Sequence, residues 1–354
     1  MLRRSLAMLL VAAPIAALGA QGQSTIAQPS LTPQNSGTTN GLIAVSPVNP
    51  EVVWASGRFG TFVVTTDGGN TWRAGVVPGA ETLQFRDVEG VSAKVPYLQS
   101  IGNNPTDFRI YKTVDGGATW TMRFQNPAAF YDCFAFWTPN RGISHSDSVN
   151  GVFPDLRVTD GVNWQDISSN MPPALPGEGS FAASGTCVAT RGGQSAWIAT
   201  GASTTARVLA TRDGGDTWDA YDTPLVSSPS AGAFTVAFRN PWHGIVGGGD
   251  LDPSFPNNAA TATSSDGGVT WTLTNAPPVT GAIFGLAYAQ GVGKGDGSRT
   301  VVITANAGRA AWTPDEGNSW FTLPGVAGYW AVAFASPQAG WLVGTDGRIL
   351  KISF

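Results

Sequence analysis

The stretch Thr65-Thr66-Asp67-Gly68-Gly69-Asn70-Thr71-Trp72 decides the fold, because close copies of it return along the chain. The Asp residues of successive copies are 45 to 53 residues apart, and one copy, Val158–Trp164, is shorter than the others. Self-similarity at this period predicts a repeat architecture in which each repeat is one supersecondary unit. We therefore expect an all-β protein, a β-propeller with one four-stranded blade per repeat.

Each copy of this Asp-box sequence lies at a turn between two runs of β-forming residues. Its Gly pair permits positive φ, and its Asp carboxylate is suited to accept backbone N–H bonds across the turn. The Trp offers a large apolar face that packs between neighbouring sheets. Near-identical copies are not separate active sites, so we assign a structural role to Asp67, Trp72, Asp115, Trp120, Asp160, Trp164, Asp213, Trp218, Asp266, Trp271, Asp315 and Trp320.

The number of candidate inner strands indicates seven blades. They begin at Leu42, Phe85, Phe130, Gly185, Ala233, Ile283 and Tyr329. The seventh set of strands stops at Phe354, before its own turn and fourth strand. We expect the segment Leu31–Asn35 to join the last blade, because this pairing closes the ring and removes two exposed sheet edges. The sequence thus predicts a single seven-bladed domain at residues 30–354.

The N-terminus has the features of an export signal. Arg3 and Arg4 precede the apolar stretch Leu6–Leu18, and the small residues Gly19 and Ala20 follow it. We predict a signal peptide at residues 1–20, a flexible segment at 21–29 and a periplasmic or secreted location. Retention of the segment as a membrane anchor stays open as the alternative, although the apolar run is short for a membrane span.

Composition and cysteine positions narrow the functional classes. Charged residues make up 12% of the chain and the formal net charge is −4, without a basic run, so nucleic acid is not an expected partner. Cys133 and Cys187 occupy the same position in two adjacent inner strands. A disulfide between them and two small buried thiols both stay open, because the sequence does not give the Cα separation.

Motifs for catalysis or cofactor binding are missing from the sequence. The two histidines, His145 and His243, belong to different blades, and no phosphate-binding or nucleophile motif is present. We predict no metal, no cofactor and no catalytic residue. The alternatives are a sialidase-like glycan hydrolase, since sialidases carry similar turns, and a carbohydrate-binding protein. Phe85-Arg86-Asp87-Val88 only half resembles the sialidase F-R-I-P stretch, and no tyrosine–glutamate pair is evident.

One face of the predicted ring gathers polar and aromatic residues. Loops between second and third strands, and loops that lead into inner strands, share this face. A rigid ring with polar groups and exposed aromatics is typical of a binding surface. The candidate binding residues are Arg58, Phe59, Arg86, Asp87, Tyr131, Asp132, Asp147, Glu178, Asp250 and Arg348.

The chain resembles the photosystem II assembly and stability factor family of Asp-box propellers, and most resembles its bacterial secreted branch. The resemblance is carried by Gln34–Thr39, Phe85–Val88, Leu175–Cys187 and Gly340–Arg348. It implies a seven-bladed propeller that binds proteins without catalysis. In photosynthetic members the protein helps a reaction-centre subunit to enter its complex. The resemblance therefore implies a protein partner, such as a membrane complex or its subunits, and a chain that is monomeric by itself.

Overall fold

Seven antiparallel sheets of four strands each account for the part of the chain that the computed structural model describes, residues 28–290 and 298–354. The predicted signal peptide and most of the segment 21–29 lie outside these described residues. The seven sheets form the blades of one ring, which confirms the predicted seven-bladed β-propeller. Within the described part of the chain, no helix is long and apolar enough to cross a membrane.

Each blade runs from an inner strand at the axis to an outer strand at the rim. Blade 1 contains β2 (Leu42–Pro47), β3 (Val53–Gly57), β4 (Thr61–Thr65) and β5 (Arg73–Val76). Blades 2 and 3 contain β6 (Gln84–Gly90), β7 (Pro96–Ile101), β8 (Arg109–Lys112), β9 (Thr121–Gln125), β10 (Tyr131–Thr138), β11 (Arg141–Ser146), β12 (Leu156–Val158) and β13 (Trp164–Asp166). Blades 4 and 5 contain β14 (Val188–Arg191), β15 (Ser195–Thr200), β16 (Arg207–Thr211), β17 (Asp219–Asp222), β18 (Ala231–Phe238), β19 (Gly244–Asp250), β20 (Thr261–Ser264) and β21 (Thr272–Leu273).

The last two blades complete the ring. Blade 6 contains β22 (Ile283–Tyr288), β23 (Val301–Ala305), β24 (Arg309–Thr313) and β25 (Phe321–Ala327). Blade 7 contains β26 (Tyr329–Ser336), β27 (Ala339–Gly344), β28 (Arg348–Ser353) and, as its outer strand, β1 (Ser30–Asn35). Short 3-10 helices at Pro105–Asp107, Ser168–Asn170 and Thr345–Gly347 lie in connecting loops.

The N-terminal strand pairs with the C-terminal strand. β1 lies antiparallel to β28, from Ser30 opposite Ser353 to Asn35 opposite Arg348. Inner strands contact one another around the whole ring, and β26 of blade 7 contacts β2 of blade 1. The first and last strands therefore belong to one blade, and this blade packs on its neighbours like the others.

The repeated turn owes its shape to one carboxylate. Asp67 Oδ1 accepts hydrogen bonds from the Thr71 backbone N–H at 2.9 Å and from the Thr65 hydroxyl at 2.8 Å, and Oδ2 accepts one from the Thr71 hydroxyl at 2.6 Å. These bonds lower the pKa of Asp67 to about 2. Gly68 and Gly69 have φ values of 71° and 88°, which a residue with a Cβ adopts only at a cost.

Tryptophans and aliphatic side chains fill the spaces between blades. One core cluster joins Trp341 and Val343 of blade 7 to Val45 and Val63 of blade 1, and comparable clusters lie between the other blades. Trp54, Trp197, Trp312 and Trp341 are almost fully buried. Burial of this apolar surface holds neighbouring sheets together.

The two cysteines form a disulfide, which settles the alternative that the sequence left open. Cys133 lies in β10, and Cys187 directly precedes β14, at a Cα–Cα separation of 5.9 Å. The bond joins the inner strands of blades 3 and 4 at the same level of the channel. Because it closes a loop with a sequence separation of 54 residues, it restricts the unfolded chain.

The long loop before β14 is anchored by Glu178. This residue is part of the candidate binding set, but the structure buries it at 1% exposure. Its carboxylate accepts hydrogen bonds from Arg207 Nε at 2.9 Å, the Thr200 hydroxyl at 2.6 Å and the Leu175 backbone N–H at 2.7 Å. Burial is compensated by these donors, so Glu178 fixes the loop to blade 4 and does not reach the surface.

Replacing Glu178 with Ala should destabilise the fold. The guanidinium of Arg207, also largely buried, would lose its carboxylate partner, and breaking such a pair costs about 3 kcal/mol or more of unfolding free energy. Chemical denaturation of Glu178→Ala against wild type measures the loss. Arg157→Ala, which breaks an ion pair with the exposed Asp216, is the matched control and should change stability by less than about 1 kcal/mol. Equal, small effects in both variants would contradict the anchoring role.

Equivalent positions of the inner strands build a ring of small side chains around the channel. We call it the alanine ring, and its members, one per blade, are Ser46, Glu89, Ala135, Ala189, Ala237, Ala287 and Ala333. Each of them lines the axial channel below the level of the disulfide. Glu89 is the one member with an ionisable side chain, and burial raises its pKa to about 8.

The raised pKa makes stability depend on pH through Glu89. Between the unfolded pKa of 4.5 and the folded value of about 8, the folded protein binds the proton and the unfolded chain releases it. The Glu89 contribution to the unfolding free energy therefore falls as pH rises through this window, by roughly 1.4 kcal/mol per pH unit. Glu89→Gln removes this contribution, so the variant should gain stability relative to wild type from pH 5 to pH 8. Denaturation curves at both pH values measure the difference, and parallel behaviour of the two proteins would contradict the assignment.

Candidate binding surface at the channel mouth

A β-bulge recurs near the start of the inner strand in six of the blades. In each case the pairing with the second strand skips one residue, and a bulge of this kind turns the skipped side chain in a new direction. The skipped residues are Ile43, Arg86, Asp132, Phe234, Phe284 and Trp330. They lie where the inner strands begin, at the end of the channel that we call the channel mouth.

Aromatic side chains form one side of the mouth. Phe181, from the loop that Glu178 anchors, stacks on Phe234 with ring centroids 3.7 Å apart. Phe284 lies 5.8 Å from Phe234 and 5.6 Å from Trp330, measured between ring centroids. These four residues form a continuous arc from blade 4 to blade 7. Phe181, Phe284 and Trp330 keep part of their surface accessible, so the arc offers an apolar contact area.

Two arginines continue the arc on its charged side. The guanidinium carbons of Arg58 and Arg86 lie 5.7 and 5.9 Å from the ring centroid of Trp330. Arg86 donates from Nη1 to the Ala182 carbonyl at 3.0 Å and from Nη2 to Gln84 Oε1 at 2.9 Å. Burial and the nearby charge of Arg58 lower the pKa of Arg86 to about 10, so it stays a cation at neutral pH. Among the described residues, no carboxylate forms an ion pair with either arginine.

A pair of carboxyl groups forms the blade 3 part of the mouth. Asp132 is 1% exposed, and Asp147 accepts a hydrogen bond from the Ser180 backbone N–H at 3.0 Å. Burial raises the pKa of both, and the nearby charge of Asp147 raises the pKa of Asp132 further. Each carboxyl group therefore lies in surroundings that favour its neutral form.

The carboxyl pair and the aromatic arc line one cavity. Its volume is about 280 Å³, and its walls include Arg86, Asp132, Asp147, Phe181 and Phe284. A second cavity of about 240 Å³ lies between Arg58 and Trp330 on the same face. The mouth therefore presents an apolar shelf between a cationic and an acidic group.

The candidate residues from the sequence separate into two groups. Arg58, Arg86, Asp132 and Asp147 come together at the mouth. Phe59, 58% exposed with φ of 57°, follows Arg58 on the same loop and is a solvated neighbour of the mouth.

The remaining candidates are either buried inside the blades or paired with other polar side chains away from the mouth. Asp87 is buried and accepts backbone N–H bonds from Val88 and Phe134 at 2.7 and 2.8 Å, and Tyr131 is 2% exposed. Asp250 lies within 3.2 Å of the Ser230 hydroxyl, and Arg348 forms an ion pair with Asp346 at 3.2 Å.

Sequence reasoning missed the aromatic arc. Phe181, Phe234, Phe284 and Trp330 belong to the mouth, although none of them is in the candidate set. An alignment of the inner strands to one another would have placed Phe234, Phe284 and Trp330 at the position of Arg86 and Asp132. Phe181 comes from a loop outside the repeat pattern, so the period gives no signal for it.

The described residues of the mouth do not form a metal-binding cluster. In the described ranges, no group of three or more His, Cys, Asp or Glu side chains gathers where it could hold a metal ion. His145 is buried, with its Nδ1 2.9 Å from the Asp155 carboxylate, and has a structural place in blade 3. The surface is suited to contacts with aromatic, charged and hydrogen-bonding groups of a ligand.

Comparisons with known proteins identify the shape of the molecule and leave its family open. No protein-family model matches the sequence, and no curated protein matches it. The solved structure of YCF48 bound to a D1 peptide is 16% identical, with a TM-score of 0.62 over 92% of this chain and 97% of that one. YCF48 from Cyanidioschyzon merolae is 15% identical, with a TM-score of 0.63 over 91% of this chain and 98% of that one. The GH74 enzyme of Niastella koreensis is 13% identical, with a TM-score of 0.61 over 90% of this chain and 53% of that one. At these identities the likeness shows the propeller fold, which a peptide-binding protein and an enzyme share.

Proposed function

We propose that this protein is a non-catalytic propeller, exported to the periplasm or beyond, whose channel mouth binds an extended segment of a partner protein. Its role would be that of an assembly factor or peripheral subunit of a membrane complex. The proposal of export rests on the N-terminal sequence Arg3–Ala20. The proposal of binding rests on the mouth.

One observation carries the binding proposal: Trp330 and Phe284 lie beside two arginines that have no carboxylate partner among the described residues. Trp and Arg dominate the energetic centres of protein interfaces, because they combine large contact area with directed hydrogen bonds. The β-sheet scaffold holds these groups in place before binding, so little conformational entropy is lost when a partner docks. YCF48, a propeller of similar shape, has been solved with a D1 peptide, which supports a peptide ligand for a propeller of this kind.

Site-specific photo-crosslinking tests which face meets a partner. With p-benzoylphenylalanine at position 284, we expect one defined protein of the native cell envelope to be crosslinked. The matched control carries the same group at position 242, where the side chain of Trp242 is 57% exposed at the opposite end of blade 5. A product from position 242 alone would contradict the proposal.

Substitutions at the mouth should then weaken binding of the crosslinked partner. Arg86→Ala and Trp330→Ala each remove a central contact, so we expect the Kd to rise by about 30-fold in each variant. Arg212→Ala, an exposed arginine beside the turn at Asp213, is the control and should bind like wild type. Titration calorimetry with the purified partner measures the affinities. Wild-type affinity in both mouth variants would place the binding site elsewhere.

A glycan hydrolase is the second candidate, because Asp132 and Asp147 are two carboxyl groups in a cavity and the GH74 enzyme shares the fold. Their geometry disfavours it. Glycosidases hold two accessible carboxyl groups about 5 Å or more apart to flank the sugar, whereas Asp132 is only 1% exposed.

Turnover assays on a panel of plant and bacterial glycans decide between the candidates. We expect no hydrolysis by the wild-type protein and none by Asp132→Asn, because the buried Asp132 carboxyl does not reach a substrate. Hydrolysis that is present in wild type and lost in a folded Asp132→Asn variant would establish the hydrolase instead.

A further inference from the structure

The axial channel below the mouth encloses a cavity that the binding proposal does not use. Its volume is about 380 Å³, and all seven inner strands contribute to its wall. This volume lies within the range of cavities that hold small molecules. The alanine ring lines it, and five of the seven ring positions carry Ala, so the channel stays open along the axis.

The charges on the cavity wall are unbalanced. Its charged lining residues are Asp87, Glu89 and Arg191, in the part of the chain that is described. Arg191 donates from Nε to the Phe238 carbonyl at 2.9 Å, which turns it toward blade 5. Asp87 already accepts two backbone N–H bonds. The cavity therefore has two carboxyl groups for one guanidinium.

Two acceptors in the cavity lack donors. No described residue donates a hydrogen bond to the Glu89 carboxyl, and none forms an ion pair with it. Gln290 is 7% exposed and its Oε1 has no hydrogen-bond partner, although it lines the same cavity from blade 6. Buried acceptors are nearly always satisfied in folded proteins, so Gln290 Oε1 indicates a missing donor, and the partly exposed Glu89 carboxyl is available to the same ligand.

We propose that the channel binds a slender organic cation through a primary ammonium group, with the Glu89 carboxylate as its counter-ion. The ammonium group carries three N–H donors, which suits an acceptor without donors of its own. The alkyl part of such a ligand would lie along the alanine ring. A free diamine and a lysine side chain offer the same chemistry, and the Gln290 amide oxygen would accept from the ligand's second donor.

Charge and ligand number favour this class over others. An anion would be repelled by Glu89 once that carboxyl group is ionised. A divalent metal ion would need more oxygen ligands than the described residues bring together, since no cluster of three acidic, His or Cys side chains exists among them. An alkylammonium ion needs one carboxylate acceptor and room for its alkyl chain, and the channel supplies both.

Titration calorimetry with 1,4-diaminobutane tests the proposal on the purified mature protein. We expect saturable binding by wild type and at least about 10-fold weaker binding by Glu89→Gln, which keeps the shape of the side chain and removes its charge. 1,4-Butanediol, which has no charge, should not bind measurably. Absence of diamine binding to wild type, or equal affinity in Glu89→Gln, would overturn the proposal.

A variant that narrows the channel tests whether the ligand lies inside it, independently of the Glu89 charge. Ala287→Leu narrows the alanine ring and leaves Glu89 in place, so a variant that folds normally by circular dichroism should also lose binding. Full diamine affinity in folded Ala287→Leu would show that the ligand lies outside the channel and would overturn the proposal. Nα-acetyl-lysine amide distinguishes the sources: its binding identifies a lysine side chain as a fitting occupant, and binding of the diamine alone identifies a free amine.

The pH dependence of binding gives an independent readout. The ammonium group binds the ionised carboxylate, and Glu89 has a pKa of about 8 in the empty channel. Affinity for the diamine should therefore rise by roughly 10-fold per pH unit from pH 6 to pH 8 and level off above it. Asp87, Arg191 and Tyr288 are the other titratable groups that face the cavity, and they remain in Glu89→Gln. A slope that persists unchanged in Glu89→Gln would assign the effect to them and contradict the role of Glu89.

Discussion

Convergence of seven inner strands on one axis is the constraint on which the rest of the structure depends. Each strand starts at the same face, so equivalent residues of different blades meet although they are far apart in sequence. One strand position therefore supplies Arg86, Asp132, Phe284 and others to the mouth, and another position builds the alanine ring. The hydrogen-bonded turn around each repeated Asp keeps successive blades alike, and the buried tryptophans keep them at a fixed spacing. Without this regularity the mouth residues would not lie next to one another.

The fold could be predicted from the sequence because its signals are local and repeated. An Asp and two glycines in a turn need few neighbours to adopt their conformation, so the motif alone indicates where blades begin and end. The pairing of β1 with the last blade was predicted because the seventh set of strands lacks a fourth strand of its own. The disulfide was different, since it depends on a Cα separation that only the arrangement of blades 3 and 4 determines.

The site was less predictable because it depends on the β-bulge. Arg86 and Asp132 attracted attention as charged residues near strand starts, whereas Phe284 and Trp330 read as ordinary core residues of a strand. The bulge reverses that reading, because it turns one residue per inner strand toward the mouth. The prediction that Glu178 is a binding residue was wrong, because it lies in a long loop whose sequence suggests an exposed segment, yet the side chain is buried. Its partners Thr200 and Arg207 lie in β15 and β16, the second and third strands of blade 4, and no local sequence pattern shows that contact.

Blade 4 explains why the mouth is asymmetric. Its inner strand starts later than the others, at Val188, and the preceding loop brings Phe181 to the mouth in place of a bulged strand residue. The buried Glu178–Arg207 pair fixes that loop, so the position of Phe181 depends on an ion pair that is remote from the surface. Blades 4 to 7 then supply aromatic rings, and blades 1 to 3 supply Arg58, Arg86 and Asp132. The repeats are alike at their turns and differ at the mouth. The Asp-box turns are nearly the same in the blades that carry them, whereas the mouth combines aromatic, cationic and acidic side chains from different blades. Recognition of a particular ligand is therefore expected at the mouth.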